Sequence, residues 1–307
     1  MCYSAQIKAQ YLRYLREFGA HLSIREFVDL YWHRESDNRI RIPKALDLYF
    51  AGAEDEAEQQ VRHLIDAYNT RQAAEWEAEL FKQRRRLADA ERTLQAKTTK
   101  AATESRRIAT DKVQWLLGKL ADLRRTMPED RDGRFFPGWY APVMVLENGQ
   151  RVVKPMRYQC RPAGKPAQYD TRYPGTYNAR RDNLGGFWKG LFGATHGLLV
   201  INAFYENVER DGRNAILEFK PRPSQDMLVA CLWSRWSAPG EPDLLSFAAI
   251  TDHPPPEVAS AGHDRCVIPI KAEHVDTWLN PGASSLGELQ AILDDRERPY
   301  YEHRLAA

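Results

Sequence analysis

The sequence predicts an α+β protein, and three observations carry the prediction. From Arg134 onward, short apolar runs alternate with Pro, Gly and Asn, the texture of β-strands separated by turns. From Glu54 to Met127 the chain is rich in Ala, Glu, Gln, Lys, Arg and Leu; Gly118 is its single glycine and it has no proline, which predicts helix. Helical spacing recurs near both ends of the chain.

Composition narrows the class. The 307 residues suffice for one large domain or two ordinary ones. The formal net charge is only +2, so a polyanion must be met by a local patch and not by global attraction. Four cysteines, at 2, 160, 231 and 266, form no CxxC pair. That pattern argues against a disulfide scaffold or a zinc ribbon and predicts thiols in a reducing cytosol. No signal-peptide core follows Met1, and no apolar run approaches the ~18 residues of a membrane span. The expected location is the cytoplasm, without a membrane partner.

Taken in order, residues 6–19 predict a helix, with Ile7, Tyr11, Tyr14 and Leu15 at helical spacing and Gly19 as its stop. A second helix opens at Ser23, where Glu26 completes a capping box and Phe27, Leu30 and Tyr31 form the apolar face. Arg39, Arg41 and Lys44 lead through Pro43 into the apolar Leu46, Leu48, Tyr49 and Phe50. Within 54–127, Leu80, Leu87, Leu94, Ala101, Ile108 and Trp115 fall seven apart, but the second seam position is mostly charged. The pattern predicts a helical hairpin in place of a long zipper. Its mixed charges read as a solvated face or as an arm that docks a protein partner. Asn148-Gly149 between 142–146 and 151–153 predicts a β-hairpin. Further strands are expected at 198–206, 214–219, 227–236, 245–251 and 265–270, and a last helix from Ser285, with Glu288 as its capping partner, to about Asp294.

The chemistry starts at Cys2. Removal of Met1 would leave one residue carrying an α-amine and a thiol, groups that titrate near pH ~8 and ~8.5. Together they can condense with an aldehyde, the amine as an imine that the thiol closes into a thiazolidine. Residues 157–189 hold seven Arg and Lys against two Asp, interleaved with Tyr158, Tyr169, Tyr173, Tyr177, Phe187 and Trp188. Cations that follow phosphates and rings that stack on bases are what single-stranded nucleic acid binding needs; the other reading is a surface loop whose aromatics anchor it to the core. Three polar residues stand out. Asn178 follows the Pro174-Gly175 turn, Glu206 ends or interrupts an apolar strand, and His263 precedes the run Cys266-Val267-Ile268-Pro269-Ile270. A carboxylate held against a strand and a His beside Asp264 and Arg265 are candidates for proton transfer. A zinc site joining His263 and Cys266 to Cys160 or Cys231 is poorly specified, and no metal or cofactor is expected.

The order Met1-Cys2, Asn178-Ala179-Arg180, Tyr205-Glu206 after a strand, His263-Asp264-Arg265 and Trp278-Leu279-Asn280-Pro281 resembles the SOS response-associated peptidase (SRAP) family. The resemblance covers residues 1–50 and about 134–295. It implies an α+β fold built on a curved, barrel-like mixed or antiparallel sheet, with peripheral helices and a long inserted helical hairpin. On that basis residues 1–307 form a single SRAP-like domain, and 54–127 are a helical insertion within it. The resemblance further implies an abasic-site sensor that binds single-stranded DNA and forms a covalent thiazolidine crosslink through Cys2, with self-processing and lyase activity. Carried over by position, Cys2 is the nucleophile, Asn178 orients the amine or the sugar, Glu206 shuttles protons and His263 assists ring opening. Arg180 and Arg265 would hold flanking phosphates, with Arg157, Tyr158, Arg161 and Arg181 completing the DNA contacts. The chain departs from the family where Tyr3-Ser4-Ala5 replaces Gly-Arg-Phe, where Asn207 replaces a Trp, and where Tyr158 stands for a Trp in Arg157-Tyr158-Gln159. The alternative functions are a cysteine peptidase acting in trans, with His263 as base to Cys2, and a non-catalytic nucleic-acid-binding scaffold.

Overall fold

The apolar runs after Arg134 pair into two sheets because an extended strand cannot satisfy its own backbone N–H and C=O groups and must bond to neighbours. A computed structural model describes residues 4–7, 16, 18–210 and 212–306. The chain begins with β1 (Ser4–Gln6) and β2 (His21–Leu22), then α1 (Ile24–Ser36), α2 (Lys44–Ala51), α3 (Glu56–Ala96) and α4 (Lys100–Arg124). Next come β3 (Arg134–Phe135), β4 (Tyr140–Glu147), β5 (Gln150–Tyr158), α5 (Tyr169–Arg172) and β6 (Asn178–Arg180). They are followed by β7 (His196–Ile201), β8 (Ala203–Arg210), β9 (Arg213–Arg222), β10 (Met227–Trp236) and β11 (Leu244–Asp252). The chain closes with α6 (Pro256–Ser260), β12 (Cys266–Val267), α7 (Val275–Leu279), α8 (Leu286–Asp294) and β13 (Tyr300–Leu305).

The chain divides into two compact units, residues 1–52 with 129–307, and residues 53–128. In the first, β4, β5, β11, β10 and β7 pair in a ring that the parallel pairing of β5 with β11 closes into a five-stranded barrel. Strand β2 extends the ring along β5, while β6 and β12 extend it along β11. The second sheet has the order β13, β9, β8, β1, β3. Asn148 and Gly149 both take positive φ, 52° and 77°, and turn β4 into β5 as the sequence predicts. Trp278 is fully buried; its Nε1 donates to the Gly197 carbonyl at 3.0 Å and its ring lies 4.0 Å from His196.

The second unit is a helical hairpin. Asp55 caps α3 by accepting from the Ala57 and Glu58 amides, Thr99 caps α4 by accepting from Ala102, and residues 97–99 make the reversal. The seven-residue line seen in the sequence breaks at that reversal, leaving Trp115 exposed. The buried seam of α4 is Ala102, Ala109, Val113, Leu116 and Leu120, and Leu80, Trp76 and Ala73 pack on its second half.

Three expectations are corrected. Gln6 does not open a helix. It closes β1, because backbone pairing with β3 and β8 overrides helical spacing; residues 8–15 and 17 of that expected helix, like Met1, Cys2 and Tyr3, lie outside the described residues. The strand expected over 198–206 is two strands in two sheets, divided at Asn202, whose amide donates to the Gln6 carbonyl at 3.1 Å. At α1 the Ser23 hydroxyl bonds the Glu26 carboxylate without capping an amide; the Lys154 ammonium, 2.9 Å from that carboxylate, holds it from the other side. Ser285 and Glu288, by contrast, form a complete capping box on α8.

Where β1 runs into residue 7, Gly133 leaves no room for a side chain. A Cβ there would sit 1.7 Å from the Ile7 carbonyl oxygen, and the Ile7 amide donates to the Gly133 carbonyl at 3.0 Å. Gly133→Ala is therefore expected to force β1 from β3 and to cost ~1–3 kcal/mol, the range for overpacking. Thermal unfolding measures it, and a melting temperature equal to wild type would refute this account of the contact.

Candidate active site: a buried Glu–His pair beside the first strand

Strand β8 carries Glu206 into the protein, where it is 0% exposed. Facing it is His263, 8% exposed, whose Nε2 lies 3.1 Å from Glu206 Oε2. His263 comes from the loop after α6. Gly262 turns that loop with φ at +98°, and a Cβ there would stand 3.8 Å from the Val208 Cβ of β8, which fixes the loop against the strand. The ring's other nitrogen, Nδ1, lies 2.9 Å from the Arg265 carbonyl and 3.3 Å from the Arg265 amide. Both nitrogens are engaged, so a proton can sit on the ring or on the carboxyl without either group leaving its partner. Burial holds His263 below its ordinary value near 6.5, so the ring is neutral at neutral pH.

Asn178 reaches the same region from β6. The parallel register pairs Asn178 with Ala249 and Arg180 with Thr251, so these four residues share one face. Thr251 in turn pairs with Val267 of β12, the strand that follows the His263–Arg265 loop. Asn178 is 7% exposed, and neither Nδ2 nor Oδ1 meets a hydrogen-bond partner among the described residues. Thr251 Oγ1 is in the same condition. Buried polar atoms with no partner among the described residues mark a place where a ligand, a water or another part of the chain completes the bonding. The sequence reading missed Thr251; its signal was a hydroxyl within the apolar run Ala248-Ala249-Ile250.

Arg180 and Arg265 converge on Asp182. Arg180 holds it through Nε and Nη2, at 3.2 and 2.8 Å, and Arg265 Nη2 lies 4.0 Å away. The hydrogen bond from Arg180 keeps the Asp182 carboxyl below the usual carboxylate range. The Arg180 side chain is 55% exposed and stands at the edge of the site.

The other expected DNA contacts are engaged elsewhere. Tyr158 is 1% exposed, stacked on Phe247 and edge-on to Phe135 and Tyr177, and presents no face to a base. Arg157 and Arg161 share Asp170, and the Arg161 guanidinium lies 4.4 Å over Trp236. Burial alone would raise Asp170; hydrogen bonds from Arg161 and Arg157 outweigh it and hold the carboxyl low. Arg181 clamps Asp252 at 3.2 Å and Asp294 at 2.6 Å, joining β6 to β11 and α8. Cys160, Cys231 and Cys266 are free and fully or nearly buried, and burial pushes the Cys160 thiol up to about 12. Cys2, the expected nucleophile, lies outside the described residues.

The sequence profile of the SOS response associated peptidase (SRAP) family matches residues 124–305, more than half of the chain and the span that holds Asn178, Glu206, His263 and Arg265. The chain belongs to the SRAP family. Solved structures similar to this SRAP chain include a protein from Bordetella bronchiseptica, 17% identical over 57% of this chain and 87% of that one, with a TM-score of 0.48. A Bacteroides thetaiotaomicron protein is 13% identical over 55% and 74%, with a TM-score of 0.47. A phage-related protein of B. bronchiseptica is 17% identical over 60% and 85%, with a TM-score of 0.45. No curated protein matches the chain. Membership of the SRAP family supports a DNA-damage-associated function and a peptidase-like fold. Among the described residues no helix is long and apolar enough to cross a membrane.

An unsatisfied buried amide costs ~1–3 kcal/mol that a hydrocarbon of similar shape does not. Asn178→Leu should accordingly leave the unliganded protein as stable as wild type or raise its stability by about 1 kcal/mol, read from the denaturation midpoint. A marked loss of stability would mean that the amide has a structural partner after all.

Proposed function

We propose that this SRAP protein captures abasic sites in single-stranded DNA through Cys2, once Met1 has been removed. The α-amine of Cys2 adds to the C1′ aldehyde of the ring-opened sugar, and the carbinolamine loses one water to give an imine. The thiol then adds across the C=N bond, its sulfur bonding C1′ and its proton passing to nitrogen, which closes a thiazolidine. Two bonds to C1′ form, one water leaves, and no oxidant or reductant is required. His263 and Glu206 move the protons: one group protonates the departing hydroxyl, and the other takes the proton from the attacking amine. Asn178 offers an amide donor and acceptor to the sugar, and Arg180 and Arg265 face the flanking phosphates. On this reading residues 54–127 are an insertion within one domain.

The observation that carries the reading is the register of β1. Ser4 pairs with Tyr205, and Glu206 is the next residue along β8. Two residues of chain reach at most ~7 Å, so the Cys2 α-carbon is covalently bound to that distance of Ser4. A proton-transfer pair buried beside the start of the chain is what an N-terminal aminothiol needs and what a remote structural ion pair would not require.

Purified wild-type protein and Cys2→Ala, each incubated with single-stranded DNA bearing one abasic site, decide the matter. A band that survives a denaturing gel is expected with wild type and not with the variant; equal bands would end the proposal. Turnover of peptides in trans without DNA would favour the cysteine peptidase instead.

The pH profile is a second check. The part of the rate that needs the unprotonated ring should show an acid limb with its midpoint below pH 6.5, because burial lowers the His263 pKa. In His263→Ala this acid limb should vanish. An acid limb centred above 6.5 would exclude His263 as the group titrating.

A further inference from the structure

The mixed charges of the helical hairpin are segregated along its length. Residues 54–81 hold eight Asp and Glu against Arg62 and Arg71, a local −6. Residues 82–107 hold nine Lys and Arg against Asp89, Glu91 and Glu104, a local +6 in a chain whose net charge is +2. The reversal at 97–99 gathers this second stretch into the closed end of the hairpin. Arg86 Nε donates to Ser105 Oγ at 2.9 Å, which sets Arg84, Arg85 and Arg86 of α3 level with Arg106 of α4. Lys97 and Lys100 flank the turn. Only part of the charge is met internally: Arg92 pairs with Asp89, Arg107 with Glu104 and Asp111, and Lys82 with Glu79. Arg84, Arg85, Arg86, Lys97, Lys100 and Arg106 are exposed, and none has a carboxylate partner among the described residues. Helical rise spreads them over ~20 Å of axis. Like charges crowded on a helix surface repel, and a polyanion that neutralises them removes the repulsion.

The chemistry of this end selects among polyanions. No aromatic residue lies between 82 and 107, so nothing there stacks on the splayed bases of a single strand. None of its large apolar side chains is exposed, and Ala90, Ala102 and Ala109 are buried in the seam. It therefore lacks both the apolar centre of a protein interface and the insertion face of a membrane-binding helix. What remains is a rigid array of cations, mostly guanidinium forks. That array suits the closely spaced phosphates of a duplex, one charge per ~1.7 Å of its axis. We propose that the closed end of the α3–α4 hairpin binds the phosphate backbone of double-stranded DNA without reading its sequence. The acidic stretch 54–81 repels the same partner, so the duplex meets the basic end alone. The contact does not depend on the reading of Cys2 given above.

The test uses the full-length protein and a short undamaged duplex, with binding read by fluorescence anisotropy across a salt series. Arg84→Gln, Arg85→Gln and Arg106→Gln together should weaken duplex binding about tenfold or more at low salt. The slope of log affinity against log salt should become shallower by about 2.7, the loss of three phosphate contacts. The same three positions changed to Lys should keep the slope, and changing the duplex sequence should alter neither value. All three sites are exposed, so the Gln variant should melt with wild type. A second variant at the turn, Lys97→Gln with Lys100→Gln, should by itself lower the slope by about 1.8 and stays decisive if the first folds poorly. Unchanged duplex affinity and slope would overturn the assignment. So would an equal loss on an undamaged single strand of the same length, or polyglutamate displacing the duplex as well as competitor duplex does at matched charge. The Gln variant should still reach the wild-type crosslinked endpoint with saturating abasic single strand. Failure of wild type to crosslink would remove the reading of Cys2 and leave the duplex measurement standing.

Discussion

The short pairing of β1 between β3 and β8 is the constraint on which the site depends. Its three residues are all buried; all three pair with β8, Ala5 and Gln6 pair with β3 as well, and Ser4 is set opposite Tyr205, the neighbour of Glu206. Gly133 sets how closely β3 approaches, and the Asn202 amide ties the end of β1 to the point where β7 gives way to β8. The barrel and the second sheet thus meet at a junction that includes the start of the chain.

The protein sorts its polar and charged groups into two kinds. Glu206 and His263 are buried and face each other, with the imidazole clasped by the Arg265 backbone. Asn178 and Thr251 are buried, and their side-chain polar atoms meet no partner among the described residues. These groups are costly to fold around, and such cost is expected where function requires it. Arg157, Arg161 and Arg181 are placed to lower the cost of folding elsewhere, each against a specific carboxylate.

Legibility in the sequence followed the range of the interaction. The Asn148-Gly149 hairpin and the Ser285–Glu288 cap could be read because their determinants lie within four residues. The helical hairpin could be read from composition, although its true seam could not, since the reversal at 97–99 resets the phase of the pattern. The division at Asn202 was hidden, because an unbroken apolar run gives no sign that Gln6 will bond its middle. Glu206 could be singled out as an acid on an apolar strand; that His263 faces it from 57 positions later is long-range geometry. The basic segment was opaque for the same reason: counting cations cannot tell that two of them close on Asp170.

That internal commitment of cations has a kinetic side. Arg157, Arg161 and Arg181 spend their fields on carboxylates a few ångströms away, and the whole chain carries only +2. Cations so engaged project little attraction beyond the first hydration layers, so diffusional capture of a polyanion at the site gains little from electrostatic guidance. On the function proposed above, discrimination among strands falls to residence time, to how slowly a correctly seated sugar escapes.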